Sequence, residues 1–161
     1  TSSLETLYSY NSEFYFVSYL TVEPNKEEIM PFLNEFHTNL LKGRNSKLLL
    51  FGPQQVEIDI ETSIRRLDID TIVPVSLIFN ELITNSIKHG FVGRKSGVIS
   101  IKIVNLEGLI EMTYTDDGAW VSPIDSAGFG TELIETFATQ LNGSFELDTN
   151  NGASYHFKFQ H

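Results

Sequence analysis

The chain predicts an α/β protein built as a two-layer sandwich, a mixed sheet covered on one face by helices. Three observations predict it. Residues 56–61 alternate Val56, Ile58 and Ile60 with Glu57, Asp59 and Glu61, the period of a half-buried strand with a charged outer face. Residues 74–91 place Val75, Ile78, Phe79, Leu82, Ile83 and Ser86 within an arc of roughly 140° at about 100° per residue, a stripe wide enough to lie on a sheet. The remaining segments complete the order α-β-α-β-β-α-β-β, which layers helices on one face of the sheet.

In chain order, Tyr8, Tyr10, Phe14, Tyr15, Phe16 and Tyr19 make the first 24 residues aromatic, and residues 12–22 read as extended. Pro24-Asn25 marks a turn. Ile29, Phe32, Leu33, Phe36, Leu40 and Leu41 then recur at helical spacing up to the stop signal Gly43. A short apolar run, 48–51, ends at Gly52-Pro53 and precedes the alternating strand. The central helix follows and ends at Gly90. Residues 93–97 form a polar loop carrying Arg94 and Lys95. Strands over 98–104 and 109–114 meet around Glu107-Gly108 as a hairpin. A second helix carries Leu133, Ile134, Phe137, Ala138 and Leu141, capped by Asn142-Gly143. Phe145 and Leu147 open a strand that Asn150-Asn151-Gly152 turns into a last one with Tyr155, Phe157 and Phe159. Two regions result: a leading helical or extended segment, 1–50, and a main domain, 51–161.

Composition narrows the function. A length of 161 residues suffices for a domain with its own core. The formal net charge of −10 argues against nucleic acid or an anionic membrane as a general partner, while leaving room for a nucleotide held by a few local cations. The absence of cysteine excludes disulfides and thiolate metal sites and fits a cytoplasmic location. No apolar run reaches the length of a transmembrane helix. The chain opens on Thr1, as expected of a segment of a longer protein.

Chemistry concentrates in three segments. On the central helix, Glu81, Asn85 and Lys88 are spaced i, i+4 and i+7 and share a stripe away from the core arc. With Val73, Leu77 and Ile87 making most of the remaining circumference apolar, the stripe is expected to be enclosed and to need partners. An Asn oxygen is a hard ligand suited to Mg²⁺, and a Glu one turn earlier can orient or deprotonate a nucleophile. The second segment is Asp116-Asp117-Gly118. A carboxylate accepts from the amino group of adenine and repels the guanine carbonyl, and Gly118 allows backbone to approach a flat base. In the third, Gly128-Phe129-Gly130-Thr131 opens a helix and offers backbone N–H groups to phosphate.

In their order and spacing these segments resemble the GHKL (Bergerat-fold) ATPases, and within them the ATP-binding catalytic domain of sensor histidine kinases with a short lid. The stretch NELITNSIKHGF resembles the family's N box, DDGAW its first glycine box, GFGTELI its second and NGASYHF its closing segment. The likeness covers about residues 55–160. It implies the Bergerat fold for 51–161, with residues 1–50 as the end of a region leading to dimerisation helices. Position by position it implies Asn85 as the Mg²⁺ ligand, Glu81 as the base, Lys88 as a phosphate contact and His89 as a wall of the ATP pocket. Asp116 reads adenine with Gly118 beside it, Gly128, Gly130 and Thr131 shape the phosphate end, and Ser154 bonds water or Asp116 near the base. His89 reads equally as a helix C-terminal cap, Ser154 as a plain strand hydroxyl and Phe129 as packing.

The chain departs from the pattern twice. Trp120 stands where the first glycine box has its second Gly, and the lid over 121–127 is only seven residues long. Trp120 is expected at the pocket mouth, sheltering the pocket or blocking it. None of the four histidines, His37, His89, His156 and His161, carries the acceptor pattern on a helix. The implied function is transfer of the γ-phosphate of Mg-ATP to a histidine outside the chain, in a homodimeric parent serving a response regulator, without nucleic acid or direct membrane contact. The alternatives are an anti-sigma-type serine kinase of the same superfamily and a non-catalytic domain used for partner binding.

Overall fold

The structure, a computed structural model, describes residues 14–19, 46–51, 55–64, 67–120 and 129–160. Seven strands form one sheet: β1 (Phe14–Tyr19), β2 (Ser46–Phe51), β3 (Gln55–Thr62), β4 (Ser96–Leu106), β5 (Leu109–Asp116), β6 (Ser144–Asp148) and β7 (Ser154–Gln160). Their order is β1-β2-β3-β4-β5-β7-β6, with β1–β2 and β3–β4 parallel and the other pairs antiparallel, so the sheet is mixed. Two helices, α1 (Ile69–Asn85) and α2 (Phe129–Gln140), pack against each other, and their apolar residues join one core with the sheet. The helix expected over 29–41 and the lid over 121–127 lie outside the described residues. β2 spans the boundary that the sequence suggests between 50 and 51, and β1 and β2 both extend the sheet of the main domain.

Alternation along the strands produces the two layers. On β3, β4, β5 and β7 every second residue is buried, and the interleaved ones, Glu57, Asp59, Ser100, Lys102, Glu111, Thr113, His156 and Lys158 among them, lie half-buried or exposed on the other face. The core residues Ile58, Ile99, Tyr114, Tyr155 and Phe157 meet Ile78, Phe79 and Leu82 of α1 and Ile134 and Ala138 of α2. Each large apolar side chain buried this way contributes about 1.5–3 kcal/mol, which fixes α1 on the sheet far more firmly than helix propensity would.

Local rules set the ends of the elements. Glu107 (φ 55°) and Gly108 (φ 95°) both take positive φ, giving the two-residue turn that matches strand twist. Asn142 (φ 51°) closes α2, and Gly143 N–H donates to the Ala138 carbonyl at 2.9 Å, a Schellman-type cap. The central helix starts five residues before the expected Pro74. Asp68 is its N-cap, accepting from Thr71 N–H at 2.8 Å, and Pro74 lies inside the helix. The apolar stripe alone hides this start, because proline normally marks the first turn.

The helix finishes in a single π-helical turn, Ser86–Gly90, in which Phe91 N–H reaches the Ser86 carbonyl at 2.8 Å. Such turns are rare and recur at functional sites. The apolar circumference is also less enclosed than expected. Val73 is 49 % exposed, and Leu77 and Ile87 are half-buried, so α1 buries one face rather than most of its girth.

Candidate nucleotide site

The site is centred on Asp116, the last residue of β5. Register explains its place: Asp116 pairs with Ile99 on β4, while Thr115 pairs with Ser154 on β7, so Asp116 faces the chain just before β7. Asp116 N–H donates to the Ala153 carbonyl at 2.9 Å, and Ala153 N–H donates back to Asp116 Oδ1 at 3.0 Å. The approach is close enough that a Cβ on Gly152 (φ 89°) would fall 2.0 Å from the Asp116 carbonyl oxygen, so only glycine fits there.

Asp116 is 5 % exposed, and a carboxylate buried so deeply needs donors. It has four. Oδ1 accepts from Gly118 N–H at 2.9 Å, from Ala153 N–H, and from Trp120 Nε1–H at 3.0 Å. Oδ2 accepts from the Ser86 hydroxyl. That hydroxyl also lies 2.7 Å from Tyr114 Oη and 3.1 Å from the Leu82 carbonyl. A hydroxyl has one proton, so with Ser86 donating to Asp116 the phenol of Tyr114 donates to Ser86. Burial, with the Asp116 charge adding to it, pushes the Tyr114 phenol well above its ordinary value and keeps it a donor, although its bond to Ser86 pulls the other way. Burial and the same charge push Tyr155 up to about 12.

Ser86 therefore fastens the end of α1 to the acidic residue. Sequence patterning places Ser86 only in the core arc; the signal that it does more is a hydroxyl among apolar residues at a fully buried position. A second tie runs from Ala119 N–H to the Gly90 carbonyl at 2.8 Å. A Cβ on Gly118 would lie 2.8 Å from Gly90 Cα, so two glycines let the loop after β5 rest on the π turn. Outside this knot, Asp117 binds Arg94 through a 2.6 Å salt bridge and takes Val98 N–H at 2.8 Å. Partial burial raises the Asp117 carboxyl, but Val98 N–H and the Arg94 guanidinium outweigh it and hold it below its ordinary value.

The polar stripe of α1 is built differently. Glu81 and Asn85 are half-buried, and Lys88 and His89 in the π turn are exposed. Burial raises the Glu81 carboxyl above its ordinary value, and nearby Lys88 lowers it in part, so the two share a local field. The His89 ring lies 6.4 Å from that of Trp120. Trp120 is half-buried, and its indole lies against the Gly90 backbone: a Cβ there would come within 3.2 Å of Nε1. An open groove of about 520 Å³ adjoins it, lined by residues 117–120 and 149–152.

Of the remaining expected residues, Ser154 opens β7 half-buried, and the hydroxyl on Asp116 is that of Ser86 instead. Gly128 lies outside the described residues. α2 begins at Phe129, so Gly130 and Thr131 lie within its first turn rather than before it, where backbone N–H groups still lack helical partners. Among the described residues no group of three or more His, Cys, Asp or Glu could hold a metal.

No family model matches the chain. Among curated proteins it is similar to the anti-sigma F factor of Halalkalibacterium halodurans, 29 % identical over 119 residues that span 61 % of this chain and 82 % of the relative. The anti-sigma F factor of Geobacillus thermodenitrificans is 25 % identical over 104 residues, 56 % of this chain and 70 % of the relative. Among solved structures, the histidine kinase domain of the Erythrobacter litoralis blue-light activated histidine kinase matches with a TM-score of 0.60 at 18 % identity, covering 81 % of this chain and 64 % of that one. An Acinetobacter baumannii histidine kinase matches with a TM-score of 0.53 at 13 % identity, covering 83 % and 64 %. The chain thus spans just under two thirds of these two solved chains. The fold is that of histidine kinase catalytic domains, the Bergerat fold that the sequence resemblance implies.

Proposed function

We propose that this chain is the ATP-binding, phosphoryl-transferring domain of a protein kinase of the GHKL type, acting on an acceptor outside its described residues. The observation that carries the reading is the hydrogen bond between Ser86 and Asp116, which fastens the helix bearing Glu81 and Asn85 to the base-reading carboxylate. Asp116 accepts the adenine amino group and repels a guanine carbonyl, so ATP is preferred to GTP. Lys88 meets phosphate as a point charge, and His89 walls the pocket. The backbone N–H groups of Gly130 and Thr131, with Gly128 before them, receive the phosphate end.

The residues present fit Mg²⁺. That ion takes most of its ligands from water and phosphates, so one half-buried amide oxygen, Asn85, is a sufficient protein share without a cluster of carboxylates. Bound there, Mg²⁺ would neutralise charge on the transferred phosphoryl group. Glu81, with its carboxyl raised by burial, is poised to take a proton from the acceptor.

Two acceptors compete. The solved histidine kinases that share the fold favour a histidine; the sequence resemblance implies that it lies on a helix of a longer, homodimeric parent, with residues 1–50 leading toward it and a response regulator downstream. The curated anti-sigma F factors favour a serine on a regulatory protein, with a sigma factor as partner. One experiment tests both levels. Titration with ATP, with and without Mg²⁺, reads nucleotide binding. Incubation of Mg-[γ-³²P]ATP with each candidate acceptor then reads the bond formed: acid-labile, base-stable label marks histidine and acid-stable label marks serine. Absence of any ATP binding overturns the function.

A further inference from the structure

The four donors on Asp116 leave a problem for any base that is to be read by it. A carboxylate oxygen offers two lone pairs, and Oδ1 already accepts from Gly118 N–H, Ala153 N–H and Trp120 Nε1–H. Oδ2 points inward, bonded to Ser86 and backed by Tyr114, both fully buried. The oxygen on the outer side is thus the crowded one. Two of its donors are backbone groups locked by the β5–β7 register and by the rest of Gly118 on the π turn. Only the third, the indole, belongs to a half-buried side chain. Trp120 lines the adjoining groove, whereas Asp116 does not.

We propose that Trp120 is a tethered surrogate for the amino group of the base, a specificity-determining residue whose indole N–H holds the Asp116 acceptor until an adenine amino group displaces it. The inference rests on Asp116 as the adenine reader. Its consequence is an exchange. Binding adenine replaces one N–H donor to Oδ1 by another, so the amino group adds little net affinity in this chain. Where the indole N–H is missing, its place on Oδ1 is open beside the two backbone donors, and the amino group gains its hydrogen bond there without displacing a donor. The wild-type site thereby holds purine nucleotides with little reward for the amino group, and the displaced ring has the groove beside it to occupy.

The test measures dissociation constants of the full 161-residue chain for ATP and for purine riboside triphosphate, which is ATP without its amino group. Wild type is expected to prefer ATP by about twofold or less, since ATP exchanges one donor for another while purine riboside triphosphate, with no donor to offer, leaves the indole on Oδ1. Trp120→Phe keeps a ring without a donor and should raise that preference to about tenfold or more. Trp120→Leu, which guards against an effect peculiar to phenylalanine, should raise it equally. Trp120 is the one tryptophan in the chain, so its fluorescence reports displacement directly and should change as ATP saturates. Binding seen only in the variants overturns the inference, because the indole then blocks the site instead of yielding to the base. An unchanged preference in both variants overturns it while leaving the kinase reading intact. If neither wild type nor variants bind any nucleotide, the function and this inference fail together.

Discussion

The two halves of the site are made in opposite ways. Asp116 is buried and saturated, held by Ser86, Gly118, Trp120 and Ala153. The α1 stripe of Glu81, Asn85 and Lys88 is half-buried or exposed, and among the described residues no hydrogen bond joins its side chains to a partner. The Asp116 half is therefore part of the fold's own framework, while the half proposed to meet phosphate is left open. Substitutions in the first should cost stability before they cost function, and substitutions in the second should do the reverse.

The largest expected effect tests the first half. Asp116→Ala leaves the Gly118 and Ala153 N–H groups and the Trp120 indole N–H without an acceptor, while the Ser86 hydroxyl keeps the Leu82 carbonyl, and each such orphan costs about 1–3 kcal/mol. A loss of about 3 kcal/mol or more is expected in urea unfolding, with m unchanged. A loss below about 1 kcal/mol would show the carboxylate to be dispensable to the fold and would erase the contrast.

Ser86→Ala comes next. It removes one of the four donors to Asp116 and orphans the Tyr114 hydroxyl, so about 1–2 kcal/mol should go. Adding Tyr114→Phe to it should cost little more, because the phenol has already lost its partner. Full additivity of the two in a double-mutant cycle would mean that Tyr114 and Ser86 do not form one network.

Asn85→Ala sharpens the other half. Stability should change by only about 0.5 kcal/mol, as for a polar residue with no bonded neighbour. Calorimetric titration should nevertheless show Mg-ATP weakened much more than metal-free ATP, since only the former calls on the amide oxygen. Equal weakening of both would turn Asn85 into a residue of the helix rather than of the ligand.

The same contrast decides what is legible in the sequence. The strand alternation over 56–61 and the core arc of α1 are periodic, and periodicity is a local signal; every residue assigned to that arc is buried. Asp116, Gly118 and the stripe are legible as motifs. What escapes depends on contacts between distant segments. Ser86 carries its role only because β5 brings Asp116 beneath the end of α1, thirty residues further along. The π turn coincides with that docking and with Gly118 resting on Gly90, and nothing in the local composition of 86–90 announces it. Trp120 is visible as a departure from the glycine-box pattern, but its bond to Asp116 needs the loop's path. The helix start is hidden because a capping Asp68 weighs less in a sequence than Pro74, which the structure places in the helix interior.

The smallest effect concerns Glu81, where the phosphate half meets the core. Burial raises its carboxyl above the ordinary value, with Lys88 offsetting part of the rise. The sign of the pH dependence follows from linkage. Where the pKa is higher in the folded chain, the folded state binds more protons through the window between the two values. Stability associated with the neutral form is then fully present below the unfolded pKa and is lost as pH rises through the folded one. Glu81→Gln keeps the shape and removes the charge, so the variant should match wild type in acid and be modestly more stable at neutral pH. Lys88→Met removes the offsetting cation, should raise the Glu81 carboxyl further, and should widen the gap between chains with and without the Glu81→Gln change. Thermal melts of the four combinations at acid and neutral pH measure it. A gap independent of pH would mean that Glu81 is solvated as freely as an ordinary surface carboxylate, and a base poised by burial would have to be sought elsewhere on the stripe.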